Sequence, residues 1–323
     1  MSGPAQRARW LSEWVPTRIG VSPCRGFIEP ASGAAPYLDA IRSATRAVDV
    51  NSYLISDQEV VSALRAGARR GVAVHVMVAG NPYRDTSAVI EERSDFRGSR
   101  VVFRLAPGRF ESDDHYDHAK YVIVDPGTDH AQAILGSSNL TFSGLGDGNR
   151  DYDWETRQAK VIGALTKIFE ADWRGAAFPS APAPLVVAPG AERTLVNLID
   201  SSRRSLDIET EAFSSVPAIR SAITSALRRK VSVRIVVPSD LSSCDKENVE
   251  ALVKEGAKAR ALSSPYVHAK LIVSDGRAFI GSENFSTNSL DDNREVGIVL
   301  SGGLAARLAS VFSMDFMRGE PLP

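Results

Sequence analysis

The sequence has little cysteine, little net charge and no long apolar run. Its two cysteines, Cys24 and Cys244, are too few for a disulfide framework or a zinc ribbon, although they leave a single disulfide open. The 38 lysines and arginines nearly balance the 39 aspartates and glutamates, which argues against a protein that coats nucleic acid or anionic membrane by bulk charge. Because no stretch of about 18 apolar residues occurs, we predict no membrane-spanning helix.

The N-terminal segment lacks the apolar stretch of roughly 7–15 residues that a signal peptide contains. We therefore expect a cytoplasmic protein, and a secreted or periplasmic protein whose leader is absent from this sequence is the alternative. Trp10 and Trp14 stand at helical spacing, which favours a place in the core or at a cap. A peripheral membrane contact through an amphipathic helix is the other interpretation. Its contact set comprises Arg7, Arg9, Trp10, Leu11 and Trp14.

What the sequence does contain is an internal repeat. Residues 27–78 and 185–237 share one order of elements: a short apolar run that ends in proline, then helix, strand, helix and strand. Within this alignment Asp49 corresponds to Asp207. Strands that alternate with helices predict an α/β fold. We predict two homologous α/β/α sandwich domains with mixed, mostly parallel sheets, related by a pseudo-twofold axis, with the active site at their interface.

A segment rich in proline and alanine separates the two repeats. Residues 179–189 contain four prolines, and proline continues neither a helix nor an inner strand. The predicted domains are therefore residues 1–178 and 179–323. Because each half should supply part of one site, we expect every catalytic residue to occur twice. One chain would then complete the site, so we expect a monomer with no obligate protein partner.

Three short motifs do occur twice: H-x-K-x4-D, then G-S-x-N, then Asn-Arg-acid. The first half carries them at 118–125, 136–139 and 149–151, and the second half at 268–275, 281–284 and 293–295. Histidine and lysine are two residues apart on a predicted strand, so their side chains project from the same face. One such motif would be unremarkable in a strand, whereas two copies in a duplicated chain indicate a shared catalytic site.

These residue types suit phosphoryl chemistry. Lysine supplies positive charge, asparagine an amide donor and serine a hydroxyl, which together can hold a phosphate. A neutral histidine would attack phosphorus while a protonated one would protonate the leaving oxygen, and an acid would orient each imidazole. The scheme needs no metal and no cofactor. The predicted catalytic residues are His118, Lys120, Asp151, His268, Lys270 and Glu295, and the predicted phosphate ligands are Ser137, Asn139, Ser282 and Asn284.

The paired motifs resemble those of the phospholipase D superfamily, which includes phospholipases D, cardiolipin and phosphatidylserine synthases, and metal-independent nucleases. The resemblance covers roughly residues 27–300. It implies a two-step reaction through a covalent phosphohistidine, with His118 as the nucleophile and His268 as the general acid. It also implies structural rather than chemical roles for Asp125 and Asp275.

Two details leave alternatives around the first motif. The longer loop before Asp151 makes Glu155 a second candidate for the orienting acid, and we favour Asp151 because it matches Glu295 in the Asn-Arg-acid register. His115 lies beside three acids that could form a metal cluster with it. We predict a solvated acidic loop instead, since the second half has no counterpart. The three acids are Asp113, Asp114 and Asp117.

The expected substrate is a phospholipid whose head group is hydrolysed or transferred. The alternative is an endonuclease for DNA or RNA, because the phosphodiester chemistry is the same. A nuclease groove needs basic residues along the backbone of the nucleic acid, and the loop before the first motif is acidic. Four arginines just upstream could nevertheless line one wall: Arg97, Arg100, Arg104 and Arg109. A binding protein without activity is disfavoured, because both copies of histidine, lysine and asparagine are intact.

Overall fold

The computed structural model describes residues 24–82, 86–112, 115–177 and 184–323. The N-terminal segment with Trp10 and Trp14 lies outside these ranges, so the predicted membrane contact remains a prediction. No helix within the described ranges has the length and apolar content that crossing a membrane requires. Cys24 and Cys244 are both free thiols.

The first half forms a seven-stranded sheet in the order β1-β8-β6-β5-β2-β3-β4. The strands of this half are β1 (Cys24–Ile28), β2 (Ala47–Ser52), β3 (Ala73–Val78), β4 (Val102–Leu105), β5 (Tyr121–Val124), β6 (Gln132–Gly136), β7 (Asn149–Arg150) and β8 (Tyr152–Thr156). Its helices are α1 (Ala35–Ser43), α2 (Gln58–Arg69), α3 (Thr86–Phe96), α4 (Phe142–Leu145) and α5 (Ala159–Trp173). Strand β7 stands outside the large sheet.

The second half forms an eight-stranded sheet in the order β17-β12-β11-β10-β14-β15-β16-β9. The strands of this half are β9 (Leu185–Ala188), β10 (Ser205–Thr210), β11 (Ser232–Pro238), β12 (Lys258–Leu262), β13 (Tyr266–Val267), β14 (Lys270–Ser274), β15 (Arg277–Gly281), β16 (Glu295–Ser301) and β17 (Glu320–Pro321). Its helices are α6 (Glu192–Asp200), α7 (Pro217–Arg228), α8 (Ser243–Lys254) and α9 (Gly303–Arg318).

The predicted fold class is confirmed: both halves are α/β units built on mixed sheets. In the first sheet, β2 pairs in parallel with β3 and β3 with β4, whereas the other neighbouring strands are antiparallel. Five of these seven strands nevertheless run in one direction, and only β5 and β8 run in the opposite one. The second sheet repeats this with β10, β11 and β12 as its parallel set.

Local sequence explains the helices that flank the parallel strands. Helix α2 begins at Asp57, whose side chain accepts hydrogen bonds from the N–H groups of Glu59 and Val60. Its apolar residues recur at helical spacing, so Val60 and Leu64 are fully buried against the sheet. The outer face of the first sheet packs against α1, α2 and α3, and that of the second packs against α6, α7 and α8.

The inner faces of the two sheets share a single hydrophobic core. This core contains Trp154 and Phe169 of the first half together with Ile280 and Phe312 of the second. Residues of both halves, including those of helices α5 and α9, pack in this one core. Neither half therefore buries its inner face alone. The small sheet formed by β7 and β13 also joins the halves, in parallel register. The predicted boundary at 178/179 falls among residues outside the described ranges and stays a prediction.

Asp125 and Asp275 follow the motif strands and bind the start of the neighbouring strand in each half. The Asp125 carboxylate accepts hydrogen bonds from three consecutive backbone N–H groups at the start of β2, at 2.7–3.2 Å. Asp275 does the same for three N–H groups at the start of β10. Both residues have a positive φ, 49° and 46°, at the end of the motif strand. The structure thus gives both aspartates a structural role.

We expect Asp125→Asn to lower the free energy of unfolding by about 1–3 kcal/mol at pH 7, because buried N–H groups lose an anionic acceptor. Burial raises the pKa of Asp125, but the hydrogen bonds from Ala47, Arg46 and Thr45 outweigh it and lower that pKa below 3.8. The stabilisation is therefore present at neutral pH and is lost as the pH falls below 3.8.

Urea denaturation of the parent and the variant at pH 7 and pH 3 measures this difference. Asp129→Asn, at an exposed position of the following hairpin, is the matched control and should change little at either pH. A difference between parent and Asp125→Asn that is the same at both pH values would contradict the prediction.

Candidate active site

The two motif strands approach each other where the halves meet. The backbone N–H of His118 donates to the carbonyl of Arg294 at 2.8 Å, and that of His268 donates to the carbonyl of Arg150 at 3.2 Å. Each histidine therefore lies just before its motif strand, against the Asn-Arg-acid segment of the opposite half. This register places the acid that follows each arginine next to the histidine of the other half.

The two histidine–acid pairs are crossed between the halves. His118 Nδ1 lies 2.9 Å from Glu295 Oε2, and His268 Nδ1 lies 2.7 Å from Asp151 Oδ1. The side chains of both acids are fully buried, whereas the histidines retain 12% and 9% exposure. Since Nδ1 is engaged in each ring, Nε2 is the nitrogen left for chemistry. The structure places Asp151, and not the alternative Glu155, against His268.

The serines of the G-S-x-N motifs lie behind the acids. Ser137 Oγ donates to Asp151 Oδ1 at 2.5 Å and accepts from the Tyr152 N–H at 3.0 Å. Ser282 Oγ accepts from the Val296 N–H at 3.0 Å in the corresponding place. Both hydroxyls are buried and committed to the strand that carries the acid. In this structure Ser137 contacts Asp151 itself and Ser282 contacts the residue after Glu295, and their predicted contact with phosphate stays a prediction.

Asn139 and Asn284 follow these serines and are half-buried. Their carboxamide oxygens are buried without a hydrogen-bond partner in the described structure. A Cβ at Gly144 would stand 2.2 Å from the backbone oxygen of Asn139, so a side chain there would displace the asparagine. Gly144, which follows the G-S-x-N motif of the first half, thus leaves room for the backbone of Asn139. Both asparagines stay predicted phosphate ligands.

The two lysines are buried beneath the histidines. Lys120 Nζ and Lys270 Nζ each donate to the carbonyl of the histidine two residues earlier, at 2.5 Å. Burial lowers the pKa of Lys120 to about 7, against the opposing attraction of Glu295. Burial also lowers the pKa of His118 to about 4, with Lys120 and Lys270 adding to the effect and Glu295 opposing it. His118 is therefore neutral at pH 7, as a nucleophile must be.

Two site residues escaped the sequence analysis, Glu211 and Tyr53. They occupy the same place in the two repeats, directly after β10 and β2. Glu211 Oε2 accepts from Lys270 Nζ at 2.7 Å, and the ring of Tyr53 lies 4.7 Å from that of His118. Their place after a buried strand was a usable signal, but a search for duplicated residues misses positions that differ between the halves.

The motif arginines also form buried ion pairs across the interface. Arg150 makes a bidentate contact with Asp315 of α9, at 2.6 and 3.1 Å. Arg294 makes the equivalent contact with Asp172 of α5, at 2.8 and 3.0 Å. Each arginine is thus fixed to the last helix of the opposite half. The sequence showed both arginines twice but gave no indication of these partners.

A second buried carboxyl group stands behind each orienting acid. In the first half it is Asp153, bonded to the Ser138 hydroxyl at 2.6 Å. In the second half it is Glu283, which fills the space that Gly297 leaves open. Burial raises the pKa of Asp153 to about 6 and that of Glu283 well above its usual range, and the neighbouring orienting acid adds to each shift. The two halves therefore supply this carboxyl from different motif positions.

The predicted acidic loop is only partly solvated. Asp117 is fully buried and accepts a hydrogen bond from Asn51 Nδ2 at 3.1 Å. Burial and the nearby Asp172 raise its pKa to about 7. Asp113 and Asp114 lie outside the described residues. Within the described ranges, no group of three or more histidine, cysteine, aspartate or glutamate side chains has the arrangement of a metal site.

Comparison with known proteins identifies the family of the chain. The family model described as "Cardiolipin synthase, PLD-like domain" matches residues 37–173 and 195–316. The chain belongs to the phospholipase D superfamily. The match covers most of both repeats and leaves out residues 174–194 between its two parts.

Individual relatives are similar over parts of their length. A probable cardiolipin synthase of Bacillus subtilis, YwiE, is 24% identical over 238 residues, which are 64% of this chain and 47% of the relative. Cardiolipin synthase A of Pseudomonas putida is 38% identical over 108 residues, 32% of this chain and 20% of the relative. The chain therefore matches less than half the length of these curated relatives. The crystal structure of phosphatidylserine synthase from Haemophilus influenzae has a TM-score of 0.70 at 11% identity and covers 99% of this chain and 92% of that one, which shows the shared fold.

We expect Arg150→Met to lower the free energy of unfolding by about 3–5 kcal/mol, because the buried Asp315 carboxylate keeps only the exposed Arg318 guanidinium, 3.8 Å away, as a partner. The double variant Arg150→Met/Asp315→Met should be more stable than the single one, since no isolated charge remains. Urea denaturation measures both. Arg174→Met, which removes an exposed pair with Glu170, is the control and should cost less than about 1 kcal/mol. A single variant as stable as the parent would contradict the buried pair.

We also expect the His118 imidazole to titrate near pH 4, as its lowered pKa implies. In Glu295→Gln the transition should move to still lower pH, because Glu295 is the group that raises this pKa. NMR of protein with isotope-labelled histidine measures the titration, and His118→Gln assigns the signal among only five histidines. A transition near pH 6.5 would show that burial does not govern this imidazole.

Proposed function

We propose that this chain is a metal-independent phosphodiesterase that acts through a phosphohistidine, with a phospholipid as its substrate. The observation that carries the proposal is the pair of crossed histidine–acid contacts beside two buried lysines. This arrangement presents two imidazole Nε2 atoms and two lysine amino groups at one place. A phosphate diester needs these groups: a nucleophile, a proton donor and compensation for its charge.

The reaction has two steps in this proposal. Neutral His118 attacks phosphorus through Nε2, while His268 passes its Nε2 proton to the leaving head-group oxygen. His268 then takes a proton from water or from an acceptor alcohol, which displaces the phosphate from His118. Glu295 and Asp151 hold the rings and stabilise the positive charge that each acquires in turn.

Two findings support a lipid rather than a nucleic acid. The curated relatives reported above are named as cardiolipin synthases, and the solved structure is of a phosphatidylserine synthase. Two of the four upstream arginines are already engaged in the fold. Arg109 pairs with the buried Asp172 at 2.5 Å, and Arg104 stacks 4.6 Å above Trp173. They are therefore not available to line a nucleic-acid groove.

The proposal extends to setting and assembly. A cytoplasmic location, a monomeric state and a peripheral membrane contact through the N-terminal segment all rest on the sequence. Both histidine motifs stand in one chain, so the site needs no second copy. Hydrolysis and head-group transfer differ only in the acceptor, water or an alcohol, that His268 activates.

Purified protein in EDTA should release head groups from phosphatidylcholine, phosphatidylethanolamine or phosphatidylglycerol vesicles and leave single-stranded DNA and RNA intact. Samples labelled in the lipid phosphate and quenched in alkaline denaturant, where the P–N bond is stable, should carry the label on His118. His118→Ala should abolish the label, and His268→Ala should slow its formation by about 10²–10⁴-fold, the usual contribution of a general acid.

Mass spectrometry of quenched peptides locates the label, and Asp129→Ala on the distant hairpin is the control for handling. Cleavage of nucleic acid without lipid turnover would replace the lipid proposal with the nuclease alternative. Loss of activity in EDTA, restored by a divalent cation, would contradict the metal-independent scheme.

A further inference from the structure

Glu211 places a carboxylate inside the site where the repeated motifs have none. Its Oε2 atom lies 2.7 Å from Lys270 Nζ and 3.7 Å from His268 Nε2. Its side chain is 24% exposed, against 0% for Lys270 and 9% for His268. The carboxylate therefore stands between the buried groups and the solvent, facing the ring nitrogen that performs the chemistry.

The corresponding position of the first half carries no charge. Tyr53 follows β2 as Glu211 follows β10, and its ring lies edge-on to His118 with 4.7 Å between centroids. Lys120 Nζ lies 5.2 Å from the centre of the same ring. An aromatic ring thus occupies the place of the carboxylate. The surroundings of the two histidines differ in charge at this position, Tyr53 in the first half and Glu211 in the second.

We infer that Glu211 is a positioning residue that makes His268 the proton donor and leaves His118 as the nucleophile. The inference rests on the proposed phosphohistidine reaction and adds what distinguishes its two histidines. Each ring already has one acid on Nδ1, Asp151 or Glu295, and one lysine of its own motif. The carboxylate at Nε2 of His268 is the charge that the first half does not match.

The physical reason is charge stabilisation at the reacting nitrogen. A carboxylate 3.7 Å from Nε2 attracts positive charge on the His268 ring, and the same carboxylate pairs with Lys270 Nζ at 2.7 Å. Burial raises the pKa of Glu211, but Lys270 and His268 together hold it well below its usual range, so the side chain is ionised at neutral pH. His118 faces a neutral phenol ring and keeps an unprotonated Nε2.

The step balances without a further reactant. The His118 Nε2–P bond forms as the P–O bond to the head group breaks. The Nε2–H bond of His268 breaks as an O–H bond forms on the leaving alcohol. Glu211 forms no bond to phosphorus and retains its negative charge throughout.

Leaving-group dependence tests this role. Phosphatidylmethanol releases an alkoxide that needs a proton, whereas phosphatidyl-4-nitrophenol releases a phenolate that does not. In Glu211→Gln the rate with phosphatidylmethanol should fall about tenfold more than the rate with phosphatidyl-4-nitrophenol. Glu211→Asp should recover part of this difference. The matched control is Glu170→Gln, an exposed glutamate on α5, with no change in the ratio of the two rates.

The competing explanations predict different results. If Glu211 only competes with the substrate phosphate, Glu211→Gln lowers KM for both lipids and leaves the ratio of rates unchanged. If Glu211 only supports the fold, both rates fall equally and the ratio is again unchanged. Either result overturns the inference.

Exchange of the two residues is the second test. In Tyr53→Glu/Glu211→Tyr, the phosphate label should move from His118 to His268, because the carboxylate now faces the other ring. A label that stays on His118 in this active variant overturns the inference. A parent enzyme that never carries a label on either histidine overturns the proposed reaction itself, so the two failures are distinguishable.

Discussion

The candidate site depends on one constraint: the imidazole of each repeated motif is held by a carboxylate from the other half of the chain. His118 and Glu295 are 177 residues apart, and His268 and Asp151 are 117 apart. Neither half contains a complete histidine–acid pair, so the chemistry exists only when the interface is formed. The backbone bonds from His118 to Arg294 and from His268 to Arg150 set this pairing, because a shift of one residue would turn each acid to the opposite face.

The same interface carries an unusual amount of buried charge. Arg150 and Arg294 reach across it to Asp315 and Asp172, and both ion pairs are bidentate and buried. Burying an ion costs several kcal/mol, which a partner with good geometry offsets but seldom exceeds. The net stabilisation of the interface must then come from the apolar core that the two inner sheet faces share. The ion pairs specify the relative placement of the halves, and that placement sets the distance from each acid to its histidine.

The duplicated motifs were sufficient to predict the fold class, the interface position of the site and the residues that meet there. They succeeded because period-two strands and helical faces are local properties, and because duplication made the important positions visible within one sequence. Ser137 and Ser282 show what the motifs cannot predict, which is the partner of a side chain. A hydroxyl suits either a phosphate or a carboxylate, and only the direction of the side chain at the turn decides between them. The missing counterpart in the second half predicts a solvated loop around Asp117, yet Asp117 is buried and binds Asn51 in the interior.

A search for duplicated residues does not reveal positions that differ between the halves. In the proposed reaction these positions give the two halves different roles. Asp153 and Glu283 place an equivalent buried carboxyl from different motif positions, so this divergence leaves the local chemistry alike. Tyr53 and Glu211 occupy equivalent positions with different charge, so this divergence makes the chemistry unlike. A reaction with one nucleophile and one proton donor requires its two histidines to differ at a given moment. Two identical motifs cannot supply that difference, and a single unmatched carboxylate beside His268 can.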